Sequence, residues 1–133
     1  MIVLDTHVLI WLDQGNARLG EISRQAIQDV YKGGEVAVSA ISFWEVAMLV
    51  EKGRLRVDAD LAAWRDELLD MGLKELPVTG SVGILAAQLS AFHGDPADRL
   101  IAATALSHAA TLLTADERLL GWSGPVQRQD ARR

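Results

Sequence analysis

The chain has 133 residues, 50% of them hydrophobic, which suffices for one sizeable core, so residues 1–127 read as a single domain and 128–133 as a loose polar tail. Thirteen Lys and Arg against eighteen Asp and Glu leave a formal charge of −5, which excludes gripping nucleic acid by bulk charge and makes any such contact local. There is no cysteine, no basic leader and no run approaching the ~20 apolar residues of a membrane span, so disulfides and thiolate chemistry drop out and the expectation is a cytoplasmic protein.

The first element is IVLDT, Ile2 to Thr6, an apolar run ending in an acid, as in a strand buried on both faces. HVLIWLD follows as a short helix that turns at Gly15. Leu19, Ile22, Ala26, Ile27 and Val30 recur at helical spacing and predict a helix with one buried face over Leu19 to Lys32, stopped by Gly33-Gly34. Val36 to Ala40 reads as a strand and ISFWEVAMLVEKG as a helix ending at Gly53. Asp60 to Met71 is helical, Leu73 to Val78 a short strand or connector, and Thr79 to Phe92 a helix with Thr79 as N-cap. Asp95 to Ala109 is helical again, TLLTA (Thr111 to Ala115) is a strand, and Gly124 to Gln127 is a last short strand. Strands alternating with helices predict a three-layer α/β/α domain with a mostly parallel sheet, whose ligands bind beyond the carboxyl ends of the strands.

Four acids fall at that edge. Asp5 ends the first strand, Glu45 lies in the first turn after the second, Asp98 in the first turn of the Asp95 helix, and Asp116 just past TLLTA. Carboxylates crowded together repel unless a cation compensates, and hard oxygen ligands suit Mg2+ or Mn2+. Each acid also has a purely structural reading to weigh. Asp95-Pro96 is an N-cap followed by proline at the first helical position, and capping is favoured for Asp95. Ser42 to Glu45 fits a capping box, Asp98 complements a helix dipole, and Asp116 can cap DERLLG. Only Asp5 has no ordinary task in sight, since a buried strand end penalises an acid. The inference rests on the set.

Other residue types add little. His7, His93 and His108 have no ligand-like spacing and receive no role. There is no Gly-x-Ser-x-Gly elbow and no glycine-rich phosphate loop. Lys52, Arg54 and Arg56, and Arg128, Arg132 and Arg133 in the tail, read as solvated charge, though both groups could grip phosphates. Trp11, Trp44, Trp64 and Trp122 read as core or interface rather than as base-stacking platforms.

LDTHVLIW, SAISFWEVAMLVEKGRLRV, DPADRLIAATA and LLTAD, in this order, resemble the PIN-domain nucleases and, within them, the VapC-type toxins of bacterial toxin–antitoxin pairs. The likeness spans nearly the whole chain. It implies catalytic and metal-binding roles for Asp5, Glu45, Asp98 and Asp116, and hydrogen bonds from Thr6 and Thr114 to the acids or their waters. Asp95 belongs to a DPxDR subgroup form. The resemblance further implies a magnesium- or manganese-dependent endoribonuclease acting on RNA, a small cognate antitoxin as partner, and a homodimer. Two alternatives stand beside it. A haloacid-dehalogenase-type hydrolase would carry a second acid where His7 stands, and a non-catalytic receiver-like module would bind metal through Asp5 and Asp116 without cleaving anything.

Overall fold

The computed structural model describes all residues from Met1 to Arg133. In chain order the elements are β1 (Ile2–Leu4), α1 (Thr6–Gln14), α2 (Glu21–Tyr31), β2 (Val36–Ser39), α3 (Ile41–Glu51), α4 (Leu61–Asp70), β3 (Lys74–Leu76), α5 (Gly80–Gln88), α6 (Pro96–Ser107), β4 (Thr111–Thr114), α7 (Glu117–Leu120) and β5 (Arg128–Asp130). The five strands form one sheet in the order β3-β2-β1-β4-β5, and all four pairings are parallel. β2 lies on one side of β1 and β4 on the other, so the strand order reverses at β1 and opens a crevice at its carboxyl end.

The alternation of side chains splits the core in two. Val3, Ala37 and Leu112 face a layer with α5 and α6, where Val82, Ala86, Ile101 and Ala105 pack. Leu4, Val36, Val38 and Leu113 face the opposite layer, which holds Val8, Leu9, Ile27, Val46, Trp64 and Leu68. Adjacent strand residues thus belong to different cores, which is why the central strands read as unbroken apolar runs.

Three boundaries and one cap depart from the sequence reading. α2 begins at Glu21, and Ile22 is 59% exposed although its spacing had placed it on the buried face. α5 stops at Gln88 rather than Phe92, because the Arg99 guanidinium takes the main-chain oxygens of Ala86, Leu89 and Phe92 (3.0, 3.1 and 3.1 Å), and its Nε donates to that of His93 at 3.2 Å. Carbonyls satisfied this way need no further helical turn. α3 begins at Ile41, so Ser42 is inside the helix and no Ser42–Glu45 capping box forms. The last strand is not Gly124 to Gln127 but Arg128–Asp130.

That last shift also corrects the expectation of a loose tail. β5 pairs with β4 in register from Leu112↔Arg128 to Thr114↔Asp130, and Ala131 is fully buried. Gly20 N and Ser23 N, free donors at the start of α2, donate to Ala131 O and Arg133 O, each at 2.9 Å. A Cβ on Gly20 would lie 2.1 Å from Arg133 O, so glycine is required by this close approach. The side chains of QRQDARR are polar because an edge strand shows them to water; its backbone is what the fold uses.

Candidate active site

The ends of β1 and β4 and the first turns of α3 and α6 meet in the crevice beside β1. Asp5 follows β1 directly and is the N-cap of α1, an ordinary task the sequence did not reveal: Oδ1 accepts from Thr6 N at 2.8 Å. Its Oδ2 accepts from Thr114 Oγ1 at 2.7 Å, which ties β1 to β4, and Asp5 is only 3% exposed. Thr114 Oγ1 in turn accepts from Asp116 N at 3.0 Å. Thr6 Oγ1 donates to Glu45 Oε1 at 2.5 Å and lies 2.9 Å from the buried Ser42 Oγ, so one hydroxyl joins α1 to α3.

Asp95 caps α6 by accepting from Asp98 N at 3.2 Å, with Pro96 at the first helical position. The turn aims Asp98, itself buried, into the crevice, where Oδ2 meets His93 Nε2 at 2.7 Å and Arg118 Nη2 at 3.4 Å. Asp116 is the N-cap of α7: Oδ1 accepts from Arg118 N at 2.9 Å, and Oδ2 from Arg118 Nη2 at 3.1 Å. Asp116 therefore both caps a helix and faces the cluster.

Electrostatics show that the acids feel one another. Burial, with the charges of Asp5, Asp98 and Asp95 adding to it, pushes the Glu45 carboxyl up to about 6, against the pull of the Thr6 hydrogen bond. Burial also raises Asp98, opposed by the His93 hydrogen bond and reinforced by Asp5, Asp95 and Asp116. Burial acts upward on Asp116 as well, but the hydrogen bonds and charge of Arg118 outweigh it and hold that carboxyl below its ordinary value. The one guanidinium spanning Asp98 and Asp116 sits where the cluster most needs positive charge.

This donor set fits a divalent cation. Ligand atoms of His93, Asp98 and Asp116 lie within 4.8 Å of one another, and the oxygen-rich surroundings suit a hard ion. The structure brings Asp5, Glu45, Asp98 and Asp116 to one crevice, with Asp95 at its rim and the Thr6 and Thr114 hydroxyls between the acids.

Three residues left without a role are part of this architecture. His93 stacks on Phe92 (4.4 Å between centroids) and bonds Asp98. His7 Nε2 accepts from Ala115 N at 2.9 Å, which pins the β4–α7 turn to α1. Arg99, by its four carbonyl bonds, shapes the loop that presents His93. Arg99 carried a readable signal: a charge one turn into an apolar helix is costly without partners. The histidines carried none: the partner of His7 is 108 residues away, and His93 reaches Asp98 only because of the loop between α5 and α6, which no periodicity announces.

The sequence profile of the PIN domain matches residues 2–121, and the chain belongs to the PIN-domain family. Among characterised relatives it is 40% identical, over 119 residues, to ribonuclease VapC22 of Mycobacterium tuberculosis (strain ATCC 25618 / H37Rv), covering 89% of this chain and 88% of that one. The fold is shared with a DNA-bound VapBC of Salmonella typhimurium (TM-score 0.72, 18% identity, 97% of this chain and 96% of that one). It is shared also with VapBC2 of Rickettsia felis bound to a fragment of its promoter DNA (TM-score 0.71, 18% identity, 97% and 98%). Position 7, where a haloacid-dehalogenase-type enzyme would need its second acid, holds the structural His7.

Proposed function

We propose that this protein is a magnesium- or manganese-dependent endoribonuclease and the toxin of a toxin–antitoxin pair. The observation that carries the reading is the convergence of Asp5, Glu45, Asp98 and Asp116, on four different elements, at the strand-order reversal of a PIN fold. The 40% identity to a ribonuclease of the VapC group supports RNA as substrate, and the shared fold with VapBC structures supports a small antitoxin as partner. A homodimer and a cytoplasmic setting belong to the same reading; no helix is long and apolar enough to cross a membrane.

Asp5, Asp98, Asp116 and Glu45 would hold the cation. When bound, it lowers the pKa of water, orients it towards the scissile phosphorus and neutralises charge developing on the phosphate. The chain's own residues supply the preorganisation. Thr114 and the Thr6 amide fix both oxygens of Asp5, so this carboxylate cannot rotate away. His93 holds one oxygen of Asp98, Oδ2. Glu45, held by the Thr6 hydroxyl and pushed up to about 6 by burial and by the neighbouring carboxylates, is the acid whose charge a bound cation would relieve most. Hydrolysis of this kind leaves a 5′-phosphate and a 3′-hydroxyl, with no protein nucleophile. Without its cation the acidic crevice repels RNA, so the ion is required for productive binding as well as for chemistry.

The test is cleavage of structured RNA by purified protein with Mg2+, with excess chelator, and by the Asp98→Asn variant. Cleavage that survives the chelator, or a fully active Asp98→Asn enzyme, overturns the mechanism.

A further inference from the structure

Beside the carboxylates lies a groove that the hydrolytic reading leaves without a task. Trp44, Met48 and Leu49 of α3 line one side, and Lys52 and Arg54 stand where that helix ends. Asp95, Pro96 and Ala97 form the far wall. The groove encloses about 320 Å3, within the ~300–1,000 Å3 of small-ligand sites, and Glu45 lines it too, so it opens onto the acid cluster.

Of the two settings expected for it, Trp44 is not in the core: it is 55% exposed, whereas Trp64 and Trp122 are each 6% exposed. The molecule's other aromatic pairings engage Trp11, Trp64 and Trp122, and none engages Trp44. The cations beside it are equally unengaged: Arg56 is held by Asp58 at 3.2 Å, while Lys52 and Arg54 are exposed and form no ion pair. A large indole left in water forgoes the stabilisation of burial, and Lys52 and Arg54 bring two positive charges to its side on a chain of net charge −5. An apolar peptide would cover the indole and leave the cations idle. A ribonucleotide satisfies both, because its base offers a π face to the indole and its phosphates meet the cations; this is the combination by which proteins hold single strands.

We propose that Trp44 is the stacking platform for an unpaired RNA base next to the cleaved phosphodiester, with Lys52 and Arg54 gripping the flanking phosphates. The proposal rests on the ribonuclease reading and deepens it: the enzyme selects single-stranded segments, such as loops, and tolerates different bases at this position because each presents a π face.

The experiment uses the full-length Asp98→Asn protein with Mg2+ and a fluorescein-labelled single-stranded hexaribonucleotide, alongside the same oligomer with one abasic position moved along it. Adding Trp44→Ala is expected to weaken binding of the intact oligomer about 5- to 150-fold. One abasic placement should weaken binding to the Trp44 protein and make no further difference once Trp44 is gone. Trp44→Phe should restore most of the affinity, which a merely structural role for the indole would not predict for the abasic comparison. Replacing both Lys52 and Arg54 by Ala should flatten the slope of log affinity against log salt by about 1.4, two single-strand phosphate contacts. In the otherwise unaltered enzyme, Trp44→Ala should raise KM far more than it lowers kcat. Unchanged affinity in Trp44→Ala, or equal losses for every abasic placement with and without Trp44, overturns the subsite while ribonuclease activity of the parent stands. If Trp44→Ala disturbs only the binding of a co-purifying antitoxin, the groove is a protein-docking surface and the proposal is wrong. A parent enzyme that cleaves no RNA with Mg2+ removes the ribonuclease reading, and the subsite with it.

Discussion

Glu45→Gln is expected to stabilise the metal-free protein while removing most of its activity. The glutamine keeps an oxygen for the Thr6 hydroxyl and deletes only the charge. Folding moves the Glu45 carboxyl from its ordinary 4.5 to about 6, so at neutral pH the ionised form opposes folding. At ~1.36 kcal/mol for each tenfold change in proton affinity, the rise from 4.5 to about 6 sets a ceiling of ~2 kcal/mol. The side chain is only half-buried, and solvent screening reduces this to roughly 1 kcal/mol, or ~3–5 °C in Tm for a chain of this length. The sign follows from proton binding. Between 4.5 and about 6 the folded state holds the proton and the unfolded state has released it, so the Glu45 contribution to stability falls as pH rises through that window. Melting curves in chelator should therefore show the gain for Glu45→Gln at about pH 7.5, most of it gone at pH 4.5 and none well below that, where both states are protonated. Saturating Mg2+ should raise the Tm of the parent more than that of the variant. A loss of stability at neutral pH, or an equal gain at both pH values, would refute the argument and assign Glu45 to the hydrogen bond rather than to the charge cluster.

Other substitutions separate the remaining roles. Gly20→Ala puts a Cβ 2.1 Å from Arg133 O and should cost roughly 1–3 kcal/mol in a denaturant titration, with faster hydrogen exchange in β5; an unchanged midpoint would mean that the tail does not hold α2. Glu75 accepts two 2.7 Å bonds from Arg65, whose hydrogen bonds hold its carboxyl below the ordinary range. That stability is present above the ordinary carboxylate range and lost as pH falls through the lowered value, so Glu75→Gln should flatten the acid limb of the stability curve. Asp95→Asn keeps an oxygen for Asp98 N and should change stability by well under the ~1 kcal/mol of a lost cap, leaving most turnover. Asp98→Asn should abolish most turnover with the fold intact, and a dead Asp95→Asn enzyme would place Asp95 among the groups acting on the ion.

The central strands were legible because residues buried on both faces of a parallel sheet must all be apolar, and IVL, VAV and TLLT have no alternative as short as they are. β5 was not legible. Its pairing is a backbone interaction, its side chains face water as any edge strand's do, and the signal that it is held, the buried Ala131 against Gly20, joins residues more than a hundred positions apart. The end of α5 was hidden for a related reason. Helical periodicity runs on to Phe92, but Arg99, from the following helix, takes the carbonyls that another turn would have satisfied.

In the site, what could be read was the set of acids at one sheet edge; the burial that raises Glu45 and Asp98 was not visible, and their first-turn positions had suggested a capping box and a dipole partner instead. The cap at Asp116 was foreseen and the one at Asp5 was not, and the two together are physically instructive. Each is the N-cap of the helix that follows it, so each has an ordinary structural task, and that task fixes its direction. A carboxylate that accepts a helix-cap hydrogen bond through one oxygen cannot turn freely, and its other oxygen is left to face the crevice; for Asp5 that oxygen takes the Thr114 hydroxyl. Capping and ion binding are then not rival explanations to be weighed one against the other, as the acid-by-acid reading had set them. The caps are how the fold holds mutually repelling charges in place before any cation arrives, and Arg118, bridging Asp98 and Asp116, offsets part of that repulsion meanwhile. This ordering has a mechanical consequence. A cation entering between Asp98 and Asp116 must displace one guanidinium but no backbone, so Arg118→Ala should tighten Mg2+ binding in calorimetry; weaker binding would show that the arginine orients the acids rather than competing for them.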